Sequence, residues 1–229
     1  MRLTIFSRPP FHNKSGGQKR AYQLLQSQSK NTDVIILNPN PNESSKVEVE
    51  FKSLANNLYI INHGKLHMVI GLFTSIFFCK WFTPINVRLY FNLKAYMIIN
   101  SENYNDIICN NIRTSPYPMK SKRFFIDFVD CISANYTVAS VTSRNLVVKF
   151  VYYIESLLTK RYEKFILSKC FKAFAVSRFE SKLLEFSTFK VLPIPVYIDK
   201  YNRKYEKAHN INLSKIETKE KLIIGFLGK

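Results

Sequence analysis

Apolar residues in this chain fall into short unbroken runs, separated by longer stretches where they recur every three to four positions. The runs at 3–6, 34–37, 58–61, 106–109, 124–129, 173–176 and 190–193 read as strands buried on both faces. Between them, Gly16-Gly17 opens a helix that sets Ala21, Leu24, Leu25 and Gln28 on one face. Residues 66–82 and 87–100 are largely helical, and a long helical region covers 140–169. Ser177-Arg178-Phe179-Glu180 has the form of a capping box and opens a further helix. Asn38-Pro39-Asn40-Pro41-Asn42 closes the second strand, and the polar run 110–114 follows the fourth.

Strands alternating with helices predict an α/β fold: a doubly wound, Rossmann-like parallel sheet over residues 1–198. Such sheets bind ligands at the carboxyl ends of their strands. That rule selects the loops 7–17, 110–118, 130–137, 177–180 and 193–201. Beyond them, 199–221 turns rich in Lys, Asn and Glu and reads as a linker. Residues 222–229 are again apolar and then glycine-containing, as in the first strand of a second α/β domain, so the chain reads as interrupted there.

Charge adds a partner class. Lys and Arg number 34 against 16 Asp and Glu, a formal net charge of +18. That imbalance favours an anionic partner: nucleic acid, an anionic membrane or a phosphorylated substrate. A basic nucleic-acid-binding module is the alternative reading of the chain. Its basic residues are spread along the sequence, and no helix-turn-helix, zinc-finger or RRM signature appears, so nucleic acid is not the expected partner. The segment 66–82 is strongly apolar but carries His67 and Lys80, and it is short of the ~20 residues that span a bilayer. It reads as a buried or an interfacial helix. Together with 146–158, it offers apolar faces with nearby Lys, suited either to a core or to an anionic membrane surface. The amino terminus lacks the apolar core of a signal peptide, and the expected location is cytoplasmic, peripheral at the inner face of the cell membrane.

Candidate chemistry is sparse. Cys79, Cys109, Cys131 and Cys170 form no CxxC pair and read as reduced, buried thiols, with Cys109 and Cys131 in strand-like contexts. There is no GxGxxG and no Walker A motif. Gly16-Gly17 at a helix start is either an ordinary helix entry or an anion site, where small residues let backbone N–H groups approach a phosphate. Arg113, beyond a strand end, either grips phosphate or carboxylate or lies solvated on the surface. Asp127 and Asp130 either orient or deprotonate a hydroxyl or form salt bridges to Arg123 or Arg113. Arg161 and Glu163 suit packing and ion-pair contacts, Ser177 and Glu180 suit capping, and His63 and His67 suit structural roles.

Taken in order, several stretches resemble the N-terminal half of GT-B glycosyltransferases, in the large retaining group that contains many lipopolysaccharide and capsule enzymes. The carriers are Gly-Gly-Gln-Lys-Arg-Ala-Tyr-Gln-Leu-Leu at 16–25, Thr-Pro-Ile-Asn-Val-Arg-Leu-Tyr at 83–90 and Tyr-Asn-Asp-Ile-Ile-Cys at 104–109. Asn-Ile-Arg-Thr-Ser-Pro-Tyr at 111–117, Asp-Phe-Val-Asp-Cys-Ile-Ser at 127–133, Arg-Tyr-Glu-Lys at 161–164, Ala-Val-Ser at 175–177 with Glu180, and Val-Leu-Pro at 191–193 continue the series. The resemblance implies an acceptor-binding domain that meets a glycan or lipid-linked acceptor. No cofactor is expected to bind tightly. The nucleotide-sugar donor is expected only with a C-terminal domain, which could be a separate chain, so the chain alone is expected to be inactive. Gly16, Gly17, Arg20, Asn111, Arg113 and Asp127 are then the acceptor- or phosphate-binding candidates, and Asp130 is the catalytic candidate. Cys109 and Asn111 stand where many members carry His-x-His, so no histidine role is available there. Ile194-Pro195 replaces the usual Asn-Gly, and Asp199 is the displaced match to the aspartate beyond that turn.

Overall fold

Strand β1 (Arg2–Phe6) lies between β2 (Thr32–Asn38) and β4 (Asp106–Asn110), parallel to both. With β3 (Leu58–Asn62), β5 (Arg123–Phe128), β6 (Lys172–Ala175) and β7 (Lys190–Val191) it forms a seven-stranded, all-parallel sheet in the order 3-2-1-4-5-6-7. The computed structural model describes residues 1–11, 15–28, 31–117, 123–184 and 190–191. The expected linker 199–221, the strand at 222–229, the loop 193–201 and Asp199 lie outside these residues.

The sheet is flanked by helices and is Rossmann-like. Every residue of β2 is buried, which is why its apolar run shows no alternation in sequence. Successive side chains nevertheless feed opposite faces. Leu3, Ile5, Ile35, Leu37, Ile107, Cys109, Ile126 and Phe128 join a larger core with Val87, Phe91, Tyr117, Tyr162 and Ile166. Phe6, Val34 and Ile36 join a smaller one with Phe11, Ala21, Leu25, Val47 and Phe51. The smaller core is closed by α1 (Gly16–Gln26) and by α2 (Ser44–Phe51), a helix the sequence reading missed. Its signal is a single i, i+4 pair, Val47 and Phe51, behind a proline-rich turn.

The larger core meets α3 (Lys65–Phe78), α4 (Ile85–Arg88) and α5 (Leu93–Ser101). The expected single helical region at 140–169 is instead a helical hairpin, α6 (Ile132–Thr142) and α7 (Leu146–Lys169). Asn145 makes the break: its side chain accepts from the N–H groups of Val147 and Val148, capping α7. The expected loop at 130–137 is mostly the first turns of α6, and Cys131 is the residue before that helix rather than a strand residue. The run 110–114 contains a 3-10 turn at Ile112–Thr114. At α8 (Arg178–Leu183), Ser177 accepts from the Glu180 N–H, as a cap should. The Glu180 carboxylate does not complete the box; it accepts from the Cys131 N–H at 2.7 Å, joining α8 to the start of α6.

Candidate functional site

The strand order reverses between β1 and β4, and there a cleft of about 300 Å³ opens beyond the carboxyl ends of the strands. Ser7 and Arg8 follow β1, Asn110 ends β4, and Asn111 to Arg113 form the turn after it. Val129 and Asp130 come from the connection between β5 and α6, Ile132 is the first residue of α6, and Ser15, Gly17 and Gln18 come from the start of α1.

Each wall has a local cause. The first intrahelical bond of α1 runs from Lys19 N–H to the Ser15 carbonyl, so the N–H groups of residues 16–18 precede the helical ladder. The turn at Gly17 lies beside the connection after β5: a Cβ there would sit 3.4 Å from Val129 Cγ1, an ordinary contact. The Gln18 side chain donates to the Pro9 carbonyl at 2.9 Å and ties the loop after β1 to the helix. Across the cleft, Asn111 adopts a positive φ of 77°, a conformation asparagine tolerates better than most residues. Its Nδ2 donates to Ser7 Oγ at 2.7 Å, and its Oδ1 accepts from the Arg113 N–H at 2.9 Å. Asn111 therefore fixes the turn that presents Arg113.

Both cleft arginines rest on Tyr90. The Arg113 guanidinium lies 5.3 Å from the ring centroid, and Arg8 donates to the hydroxyl at 3.4 Å. Tyr90 is itself backed by the buried His63 ring, with centroids 5.5 Å apart. His63 Nε2 lies 2.9 Å from the Leu89 carbonyl, and burial pushes its pKa down, which keeps the ring neutral. Asn110 is 5% exposed, and its Nδ2 has no hydrogen-bond partner among the described residues. A buried amide donor of this kind is costly unless a ligand or water meets it.

The sequence candidates divide on this geometry. Gly17, Asn111, Arg113 and Asp130 line the cleft, whereas Gly16 is exposed beside it. Arg20 and Asp127 do not line it: they are buried and form a two-pronged ion pair, with Nε 2.7 Å from Oδ2 and Nη2 bonded to Oδ1. The pair joins α1 to the end of β5. Nor does Asp127 pair with Arg123, which binds Asp106 instead at 2.6 and 2.9 Å. Asp130 is exposed at the rim and forms no ion pair among the described residues. Ser7, Arg8, Gln18, Tyr90 and Asn110 were not singled out from sequence. The available signal was positional: Ser7 and Asn110 sit at or just past the ends of adjacent strands.

The cleft thus offers two guanidiniums, a helix start, a buried amide donor and one carboxylate. That set suits a polar ligand with an anionic group and hydroxyls. No protein-family model matches the chain, and no curated protein matches it.

Proposed function

We propose that the chain is the acceptor-binding domain of a nucleotide-sugar-dependent glycosyltransferase of the GT-B kind, working on a lipid-linked or cell-surface glycan precursor. The cleft is the observation that carries this reading: Arg8, Arg113 and the Asn110 Nδ2, which has no partner among the described residues, converge at the switch point of a Rossmann-like sheet. In this reading Arg8 and Arg113 hold the acceptor's phosphate or carboxylate. The Asn110 amide and the N–H groups of residues 16–18 take its oxygens, and Asp130 orients or deprotonates the reacting hydroxyl. The nucleotide-sugar donor is held by a second domain, in the same chain or another, so sugar transfer needs both.

Titration calorimetry with a sugar 1-phosphate and its neutral sugar tests the cleft. Charge-assisted hydrogen bonds contribute roughly 1.5–3 kcal/mol each, so Arg113→Ala should weaken the phosphate ligand about tenfold or more. The neutral sugar should bind more weakly and respond less to that substitution. Binding that ignores Arg8→Ala and Arg113→Ala, or an oligonucleotide that binds more tightly than any sugar phosphate, would overturn the assignment. The second outcome would favour a nucleic-acid-binding module.

A further inference from the structure

Three helices on the larger-core side are built inside out. In α3 the buried residues are Gly71 and Ser75, while Leu66, Val69, Ile70, Phe73, Ile76 and Phe77 are exposed, Phe77 to 86%. In α6 Ser133 and Ser140 are buried, while Val138 and Val141 face out. In α7 as far as Thr159, Glu155, Ser156 and Thr159 turn inward, while Leu146, Val147, Phe150, Val151 and Ile154 turn outward, Leu146 to 80%.

The inward polar groups are bonded. Glu155 accepts from the Ile85 N–H at 3.0 Å, Asn86 donates to Thr159 Oγ1 at 3.3 Å, and Thr137 and Ser156 share a hydroxyl bond of 2.7 Å. Of the groups in this network only Asn86 Oδ1 is buried without a hydrogen-bond partner among the described residues, so the polar interior is largely satisfied, and the outward face is apolar. Soluble surfaces rarely expose contiguous apolar area on this scale. Small residues and hydroxyls between helices, with large aliphatics outside, are the packing rule of proteins whose solvent is lipid.

The pieces are joined. Gly71 brings α3 against the chain at Phe91, where a Cβ would overlap the carbonyl oxygen. After α3, Trp81 lies 4.8 Å beneath the Arg161 guanidinium of α7, and exposed Ile85 is tied to Glu155 of the same helix. The outward surface thus runs from α3 through Trp81 and Ile85 to the α6–α7 hairpin.

Charge selects the occupant. Exposed Lys65, Lys80, Arg144 and Lys149 border the apolar residues, and the carboxylates on these helices, Glu155 and Glu163, are both buried. A second copy of the chain would set like charges against each other on molecules of +18. A surface that is apolar within and anionic at its rim matches both properties. We propose that α3, Trp81 and the α6–α7 hairpin form a docking face that seats in the headgroup and upper acyl region of an anionic bilayer. No helix among the described residues is long and apolar enough to cross a membrane, so the helices lie along the interface. The inference stands on this surface and does not depend on the transferase reading.

Co-sedimentation of the full chain with phosphatidylcholine vesicles, with and without phosphatidylglycerol, tests it. Binding should be at least tenfold stronger to the anionic vesicles. Raising salt should weaken it and leave a resistant remainder, since apolar insertion is not screened. Phe73→Ser with Phe77→Ser should remove that remainder, and Lys65→Glu with Lys149→Glu should remove the preference for anionic lipid. Circular dichroism and sugar-phosphate affinity should be unchanged in both double variants. Binding indifferent to the apolar pair, equal binding to neutral and anionic vesicles, or no binding beside self-association in solution would each overturn the proposal.

Discussion

On the side of the smaller core, α1 and α2 turn Ala21, Leu25, Val47 and Phe51 inward and expose Lys19, Gln26 and Glu48. On the side of the larger core, α3 turns Gly71 and Ser75 inward and exposes Phe73, Ile76 and Phe77. Both sets of helices cover the same parallel sheet, yet only the first follows the rule for a helix facing water. The difference teaches that stability and apolar character have been separated here. The first set stabilises the fold by burying apolar area. The second packs through small residues and hydrogen bonds as well as through Phe78, Tyr162 and Ile166, and leaves much of its apolar area exposed.

The separation makes stability the first way to break it. Arg20→Ala leaves Asp127 charged, buried and unpaired, and should cost about 3–5 kcal/mol in urea unfolding. Replacing both partners, Arg20→Met with Asp127→Leu, should recover most of that loss. A single-variant cost under about 1 kcal/mol would mean that the pair does not hold α1 to the end of β5. Next in size is Gly71→Val. Its side chain meets backbone rather than a flexible group, and overpacking of this kind costs roughly 1–3 kcal/mol. The larger Phe77→Ser change on the outer face of the same helix should stay within about 0.5 kcal/mol, measured the same way. If that order were reversed, α3 would be an ordinary core helix.

How much of this was legible divides along the same line. The strands were readable because burial on both faces makes unbroken apolar runs, as in Val34-Ile35-Ile36-Leu37. The parallel sheet followed from their alternation with helices. The direction in which α3 faces was not readable: apolar residues occupy nearly its whole circumference, and only the approach to Phe91 selects Gly71 for the inside. The hairpin break depended on one capping residue, Asn145, within a helical pattern that otherwise continues. In the cleft, Gly17, Asn111, Arg113 and Asp130 could be named because they border strand ends. The pairing of Arg20 with Asp127 spans 107 positions and has no local signal. Tyr90 enters the site through its contacts with Arg8 and Arg113, the first of them 82 positions away in sequence and without a local signal.

Acidity gives a gentler probe of the polar interior of the hairpin. Burial raises the Glu163 pKa above its ordinary 4.5, against the bonds from Ser133 that favour the charged form. A carboxyl with a raised folded pKa contributes most below the unfolded value, and that contribution is lost as pH rises through the folded one. Relative to Glu163→Gln, the unaltered chain should therefore lose thermal stability as pH climbs from about 4.5 toward neutrality. Parallel melting curves across that range would show that Glu163 is not desolvated by the hairpin.

Trp81 reports on the outward face most directly. It is the single tryptophan of the chain, it is 73% exposed, and it joins α3 to α7. Its emission should shift to the blue on addition of phosphatidylglycerol vesicles and be quenched by lipids brominated high on the acyl chain. Neutral vesicles should produce little of either effect. An emission maximum that stays at its aqueous position, unquenched while the protein is bound to anionic vesicles, would contradict the account: the chain would then be docking by charge through some other face.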